Sequence, residues 1–181
     1  VLSNNDGCVV TRTVEAKSLG IKMGEPLFKI KHRALKHDVH VFSSNYELYG
    51  DLSNRMMRTI ATLVPRTEVY SIDECFADIV GMTDLTALGT QIRDRVLQWV
   101  GIPTCVGIAP TKTLAKFCNK LAKKHHQFKG VVNWCDWTDN IQQRALNSEN
   151  VTEVWGIGKQ IGLKLNSMGI NTAGDFARAP T

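Results

Sequence analysis

Two hydrophobic periods alternate along this 181-residue chain and divide it into elements. Val9 to Leu19 reads as a helix stopped by Gly20, a residue that accepts the left-handed conformation common at helix ends. Pro26 opens a second short helix, Leu27 to Lys36, because a proline early in a helix removes only a donor that the helix start leaves unpaired anyway. Val39 to Ser43 is predicted as a short strand. Tyr49, Leu52, Met56, Ile60 and Leu63 then recur at helical spacing, one apolar face, and Pro65 ends the pattern. Glu68 to Val80 is rich in β-branched and aromatic residues and predicts a hairpin or a long strand. Leu85, Leu88, Ile92, Val96 and Trp99 form another helical stripe, with Gly101 just past its end. Thr104 to Ile108 reads as a strand, and Leu114, Phe117, Cys118, Leu121 and Ala122 as the inner face of a third long helix. Gly130 to Trp134 is a closing strand.

Helix, hairpin, helix, strand, helix, strand is the order of an α+β fold with helices on one side of a sheet. After Trp134 the composition turns polar through Asp136, Thr138, Asn140 and Gln142 and leads into a smaller helical unit. Boundaries near Ser44 and Asn133 follow, giving segments 1–44, 45–133 and 134–181. No internal repeat or low-complexity segment interrupts them.

Composition narrows the class. Hydrophobic residues make up 43% and charged residues 22% of the chain, which excludes disordered and collagen-like proteins. No apolar run approaches the ~20 residues of a membrane span. The opening VLSNNDGCVV lacks the charged start and long apolar stretch of a secretory signal. A first residue Val and a last Ala-Pro-Thr placed just after a helical pattern make both ends read as cut. Cys8, Cys75, Cys105, Cys118 and Cys135 are odd in number, widely spaced and without a C-x-x-C pair. They argue against a disulfide framework or a zinc ribbon and fit reduced thiols of a cytoplasmic protein. The four tryptophans are expected in the core, and His125 and His126 on the surface.

The net charge of +5 permits a polyanionic partner. Its distribution is more telling: residues 112–130 hold six lysines, two histidines and no acid. Lys112, Lys116, Lys120 and Lys123 or Lys124 recur at near-helical spacing opposite the apolar face. A charge stripe is ordinarily a solvated face, but this one reads as one-signed and unpaired, a pattern suited to phosphate contact.

The sharpest chemical feature is Ser71-Ile72-Asp73-Glu74, two adjacent acids inside an apolar β pattern. On a straight strand they would face opposite sides, whereas at a hairpin tip both carboxylates can turn toward one point. Hard cations such as Mg²⁺ take such oxygen ligands; a solvated turn is the plain alternative. Val154-Trp155-Gly156-Ile157-Gly158-Lys159 has helical pattern on both sides. Its glycines permit a tight hairpin between short helices, with free backbone N–H groups at the second helix start. Those groups suit a DNA phosphate, or the segment is an ordinary helix–turn–helix packing corner. Arg12 and Lys17 form a third candidate phosphate clamp, or are uncommitted surface residues.

LSNNDGCV, EAK-x-LGIKMG, FSSNYELY, YSIDE, VGIA-x-TKTLAK and VWGIG, in that order along essentially the whole chain, resemble the Y-family (lesion-bypass) DNA polymerases, and among them the UmuC type of bacterial SOS mutagenesis. The resemblance implies a right-hand architecture: fingers over 1–44, a palm over 45–133, and part of a thumb with a helix-hairpin-helix over 134–181. It implies Mg²⁺-dependent nucleotidyl transfer with Asp73 and Glu74 as catalytic metal ligands. Lys123 and Lys17 would contact the incoming triphosphate, and Val10 and Thr11 would cover the nascent base pair. Lys112, Lys116, Gly156, Gly158 and Lys159 would meet DNA. The implied substrates are primer-template DNA and deoxynucleoside triphosphates, and the implied partners a UmuD-type processed subunit, a recombinase filament and a sliding clamp, with no membrane. Two departures stand out. Val14 occupies a position where many relatives carry a tyrosine hydroxyl, and Lys17 replaces a bidentate guanidinium with a point charge. The resemblance also implies a further metal-binding Asp and an aromatic gate against ribonucleotides upstream of Val1, with Asp6 a poor substitute for that Asp. A little-finger domain would lie beyond Thr181. A non-catalytic DNA-binding module, and less readily a cyclase-type nucleotidyl transferase, are the other functions these residues allow.

Overall fold

A computed structural model describes residues 1–3 and 7–180 of the chain. Asp6, of the Asn5-Asp6-Gly7 sequence, lies outside the described residues. The chain divides into two compact units, Val1–Asp51 and Leu52–Thr181, with the division inside one long helix. The segments expected as palm and thumb thus share the second unit.

In the first unit, β1 (Leu2–Ser3) lies between β2 (Val9–Thr11), antiparallel, and β3 (Phe42–Ser43), parallel. Two short helices follow β2: α1 (Val14–Ser18) and α2 (Leu27–Lys36). The helix expected over Val9–Leu19 is therefore a strand followed by a helix. β-branched Val9, Val10 and Thr11 favour extended backbone, and the Val9 N–H donates to the Glu25 carbonyl at 3.0 Å. Helix begins only where the Thr13 hydroxyl accepts from the Ala16 N–H at 3.3 Å. The strand expected over Val39–Ser43 shortens to Phe42 and Ser43, which pair with Leu2 and Ser3. Val9, Ala16, Ile21 and Ile30 form this unit's core.

The second unit takes the rest of α3 (Tyr46–Ala61) and then a hairpin, β4 (Arg66–Val69) and β5 (Cys75–Asp78), in antiparallel register from Arg66 opposite Asp78 to Val69 opposite Cys75. An Arg66–Asp78 ion pair closes the open end of the hairpin. Next come α4 (Leu85–Val100), β6 (Val106–Ile108), α5 (Lys112–Lys124) and β7 (Val131–Asn133), with β6 and β7 parallel. Met56 and Ile60 of α3 and Leu88, Ile92 and Val96 of α4 form one apolar cluster. Cys75 and Ala77 of β5 and Val106 of β6 pack against it. β5 and β6 thus rest on the same helical layer without being hydrogen-bonded to each other, and the strands of the described residues fall into three small sheets.

A second cluster buries Phe117, Cys118, Leu121 and Ala122 of α5 against Val132, Trp134, Leu146 and Ala173. The last two come from α6 (Asp139–Ser148) and α8 (Ala173–Arg178), which flank α7 (Lys159–Ser167). α5 approaches β6 so closely that a Cβ on Gly107 would stand 2.1 Å from the Ala115 carbonyl oxygen, a contact only glycine allows. The tryptophans divide differently from expectation. Trp134 is buried, but Trp99 is 58% and Trp155 37% exposed, each with a cation over its ring. Among the described residues, Cys8, Cys75, Cys105, Cys118 and Cys135 form no disulfide. Among the described residues, no helix is long and apolar enough to cross a membrane.

Candidate functional site

The hairpin places the two acids. β4 and β5 are joined by a turn over residues 70–74, held by the Tyr70 and Ser71 N–H groups donating to the Glu74 carbonyl at 3.0 and 3.1 Å. Asp73 is exposed, and its Oδ1 accepts from the Ser71 hydroxyl at 2.7 Å. Glu74 is half-buried, and its Oε2 accepts from Lys116 Nζ at 2.8 Å. Among the described residues, no group of three or more His, Cys, Asp or Glu side chains could hold a metal. The two side chains are hard oxygen donors of the kind Mg²⁺ takes while keeping several of its sites for water and substrate phosphates; each already has an internal partner, Ser71 for Asp73 and Lys116 for Glu74.

The lysine helix is not the unpaired stripe expected. Lys112 bonds Glu68 at 2.5 Å, Lys116 bonds Glu74, and Lys124 bonds Glu149 at 2.6 Å. Lys120 reaches Glu149 at 3.5 Å and also pairs with Glu153. The acids come from the hairpin and from the segment after α6, elements far away in sequence, which is why the helix alone looked one-signed. Burial pushes the Glu149 carboxyl up, but the Lys124 hydrogen bond and the charges of Lys120 and Lys124 prevail and hold it below the usual range. Lys123, in the last turn of α5, has no partner among the described residues. It is the exposed cation of this helix with no acid to satisfy it.

Around these groups lies a cavity of about 600 Å³, bordered by Glu74, Lys116 and Lys123 on one side and by Trp155, Gly156 and Gly158 on the other. Gly156 takes a φ of +93°, a left-handed turn that reverses the chain, and Gly158 caps the start of α7 with no side chain in the way. Lys159 is exposed at that helix start. The fold therefore brings together Glu74, Lys116, Lys123 and the glycine hairpin. It places Lys112 one helical turn before Lys116, over the Phe76 ring at 5.0 Å.

Val10, Thr11 and Lys17 belong to the first unit. Val10 and Thr11 are exposed on β2, and Lys17 is exposed in α1 with no partner among the described residues. Arg12 is committed: its Nε donates to the Ile21 carbonyl at 2.7 Å. Val14 is 79% exposed, an apolar side chain facing out where a hydroxyl was noted as missing.

Trp155 is the residue sequence reasoning passed over. Its ring meets Tyr70 at 5.4 Å between centroids and Phe76 at 5.7 Å, so it ties the glycine hairpin to the acidic turn. The available signal was an aromatic directly before Gly-x-Gly together with aromatics on both sides of the Asp-Glu pair.

Known proteins resemble the chain in both sequence and fold. Protein UmuC of Salmonella typhimurium (strain LT2) is 51% identical over 187 residues, spanning 100% of this chain and 43% of that protein. Protein ImpB of Salmonella typhimurium is 47% identical over 184 residues with the same shares, 100% and 43%. A DNA polymerase IV of Oceanobacillus iheyensis is 30% identical over 95% of this chain and 40% of its own length. The chain thus spans less than half the length of these relatives. Among solved structures, the insertion ternary complex of Dbh DNA polymerase matches 96% of this chain and 49% of that one, with a TM-score of 0.78 at 28% identity. DinB from Sulfolobus solfataricus matches 99% and 52%, with a TM-score of 0.79 at 28% identity. The model of the impB/mucB/samB family matches residues 1–120, and the chain belongs to that family.

Proposed function

We propose that the whole protein performs template-directed, error-prone DNA synthesis past damaged bases, by nucleotidyl transfer. The observation that carries this reading is the convergence, on one cavity, of Glu74 from the acidic hairpin turn, of Lys123, which has no partner among the described residues, and of the Gly156/Gly158 hairpin; Asp73, next to Glu74 in the turn, does not line that cavity. The relatives named as polymerases, and a matching structure titled as a ternary complex, support it.

In this reading Asp73 and Glu74 hold Mg²⁺. The bound metal supplies charge stabilisation to the attacking and leaving oxygens of an in-line displacement. Lys123 neutralises charge developing on the triphosphate, an electrostatic role supported by its having no partner among the described residues. Lys17 does the same from the fingers, as a point charge that orients less tightly than a guanidinium. Val10 and Thr11, small and exposed, cover the nascent base pair loosely. The N–H groups at the start of α7, with Lys159, hold DNA backbone without reading sequence; Lys112 and Lys116, the other lysines expected to meet DNA, have their charge offset by Glu68 and Glu74 and meet phosphate only where those pairs open.

Residues 1–44 act as fingers, 45–133 as palm and 134–181 as the first part of the thumb. β5 and β6 lie on one helical layer with no hydrogen bonds between them, which leaves a place for a strand carrying the further carboxylate expected upstream. The residues Val1–Thr181 alone do not extend primers. The protein works in the cytoplasm, in SOS mutagenesis, with a UmuD-type processed subunit, a recombinase filament and a sliding clamp.

The test uses the full-length protein. Asp73→Asn or Glu74→Gln abolishes Mg²⁺-dependent primer extension while leaving primer-template affinity within about twofold of the parent, because DNA is held mainly by phosphate contacts elsewhere. Extension that survives both substitutions defeats the reading.

A further inference from the structure

Lys116 has two seats. Its Nζ stands 2.8 Å from Glu74 Oε2 and, at the same time, 4.8 Å from the centre of the Tyr70 ring and 5.4 Å from that of Trp155. Both ring distances lie within the ~6 Å over which an aromatic face attracts a cation. The rings form a closed set: Tyr70 and Trp155 meet edge to face at 86°, and Phe76 contacts both at 5.8 and 5.7 Å. The Lys116 side chain is 22% exposed, so water alone solvates its ammonium poorly and the carboxylate and rings must do most of that work. The other lysines of α5 differ. Lys112 and Lys124 are half-exposed, Lys120 is paired twice away from the hairpin, and Lys123 has no partner among the described residues.

We infer that Lys116 is the resident counter-ion of Glu74, a positioning residue whose ammonium holds the carboxylate until a divalent cation replaces it, and which then rests on the faces of Tyr70 and Trp155. The inference rests on the reading of Glu74 as a metal ligand. Its physical content is competition. With the ammonium in place the acidic turn is neutralised and keeps its shape. A divalent ion must outcompete Lys116 for Glu74, so the pair alone binds metal weakly and loads fully only when phosphate oxygens of a nucleotide add their own ligands. The aromatic set keeps the displaced ammonium from being stranded in a half-buried position. Trp155 thereby links the glycine hairpin to metal loading, because it belongs to that hairpin by sequence and to the lysine's second seat by contact.

Two substitutions on one cluster move in opposite directions. The probe is Mn²⁺, titrated into full-length protein without DNA or nucleotide, with free Mn²⁺ read by electron paramagnetic resonance and folding checked by thermal melting. Lys116→Met removes the competing charge and tightens Mn²⁺ binding about fivefold, the scale of a partly buried charge interaction. Trp155→Leu removes part of the second seat and weakens Mn²⁺ binding about threefold, with Trp155→Phe a milder change of the same sign that is read if the leucine variant does not fold. Lys116→Met binding as the parent or more weakly overturns the inference, as does unchanged or tighter binding in both Trp155 variants; a purely structural cluster weakens binding in all of them. Glu74→Gln separates the two levels. Mn²⁺ binding unaffected by that change removes the metal reading itself. Mn²⁺ binding lost there but indifferent to Lys116→Met removes only the counter-ion.

Discussion

Lys124 Nζ donates to Glu149 Oε1 at 2.6 Å, and Glu149 is only 4% exposed at the end of α6, so an ion pair with a buried acid joins the lysine helix to the segment that carries the glycine hairpin. Lys120 approaches the same carboxylate. Such a pair resists removal of one partner, because the other charge is left half-buried and unpaired.

Glu149→Gln is accordingly expected to destabilise the protein by about 2 kcal/mol, the buried-pair value reduced because both lysines are partly in water. The folded carboxyl lies below its usual 4.5, so the folded state binds fewer protons than the unfolded one between the two values. Stability from this group is fully present above about 4.5 and is lost as pH falls through the lower folded value. Thermal melts of parent and Glu149→Gln across that acid range should converge as pH falls. Curves that stay parallel would show that Glu149 carries no such linkage.

Gly107 and Gly156 are irreplaceable for different reasons, and alanine distinguishes them. A Cβ on Gly107 meets α5 backbone at 2.1 and 2.2 Å, so the helix must move off β6. Gly107→Ala is expected to cost about 3 kcal/mol or more. A Cβ on Gly156 meets nothing within 4 Å, and only its φ of +93° is at issue. Gly156→Ala is expected to cost about 1–2 kcal/mol. Urea denaturation of both variants checks the ranking.

Lys123 and Lys159 are both exposed cations with no partner among the described residues, yet they should fail differently. In the full-length enzyme Lys123→Ala is expected to raise the KM for nucleotide about tenfold and leave DNA affinity in place, since it faces the cavity beside the acidic turn. Lys159→Ala is expected to weaken DNA binding and reduce its salt dependence by about one ion, with little change in nucleotide KM. Steady-state kinetics and a salt titration of DNA binding separate the two.

Cys118 and Cys135 give a reactivity contrast. Burial, and then the neighbouring Cys135, push the Cys118 thiol up to about 12. Cys135 is exposed. Brief alkylation of the native protein near pH 8 should label Cys135 and spare Cys118 until denaturant is added, since the thiolate is the reactive form. Peptide mass mapping reads the order, and early labelling of Cys118 would mean that the α5 core opens readily.

Most of the helices were legible because each carries a long, regular apolar face: Met56 and Ile60 in α3, Leu88, Ile92 and Val96 in α4, Phe117 and Leu121 in α5. The acidic turn was legible because two charges interrupt a β pattern. What failed was non-local. Val9–Thr11 has a pattern that suits a helix but a partner strand that suits a sheet, and only the partner decides. The lysine stripe looked bare because its acids, Glu68, Glu74, Glu149 and Glu153, come from elsewhere in the chain. Trp155 looked like core because size predicts burial, whereas its ring is shared between aromatic neighbours and a cation.

The separation of β5 from β6 carries a liability. Each belongs to a two-stranded sheet and presents one ladder of backbone donors and acceptors that no strand among the described residues takes up. Ladders of that kind template the addition of foreign strands. A polypeptide of this extent, synthesised by itself, is therefore prone to stitch to its own copies edge to edge. Its yield in soluble form is expected to fall as its concentration rises.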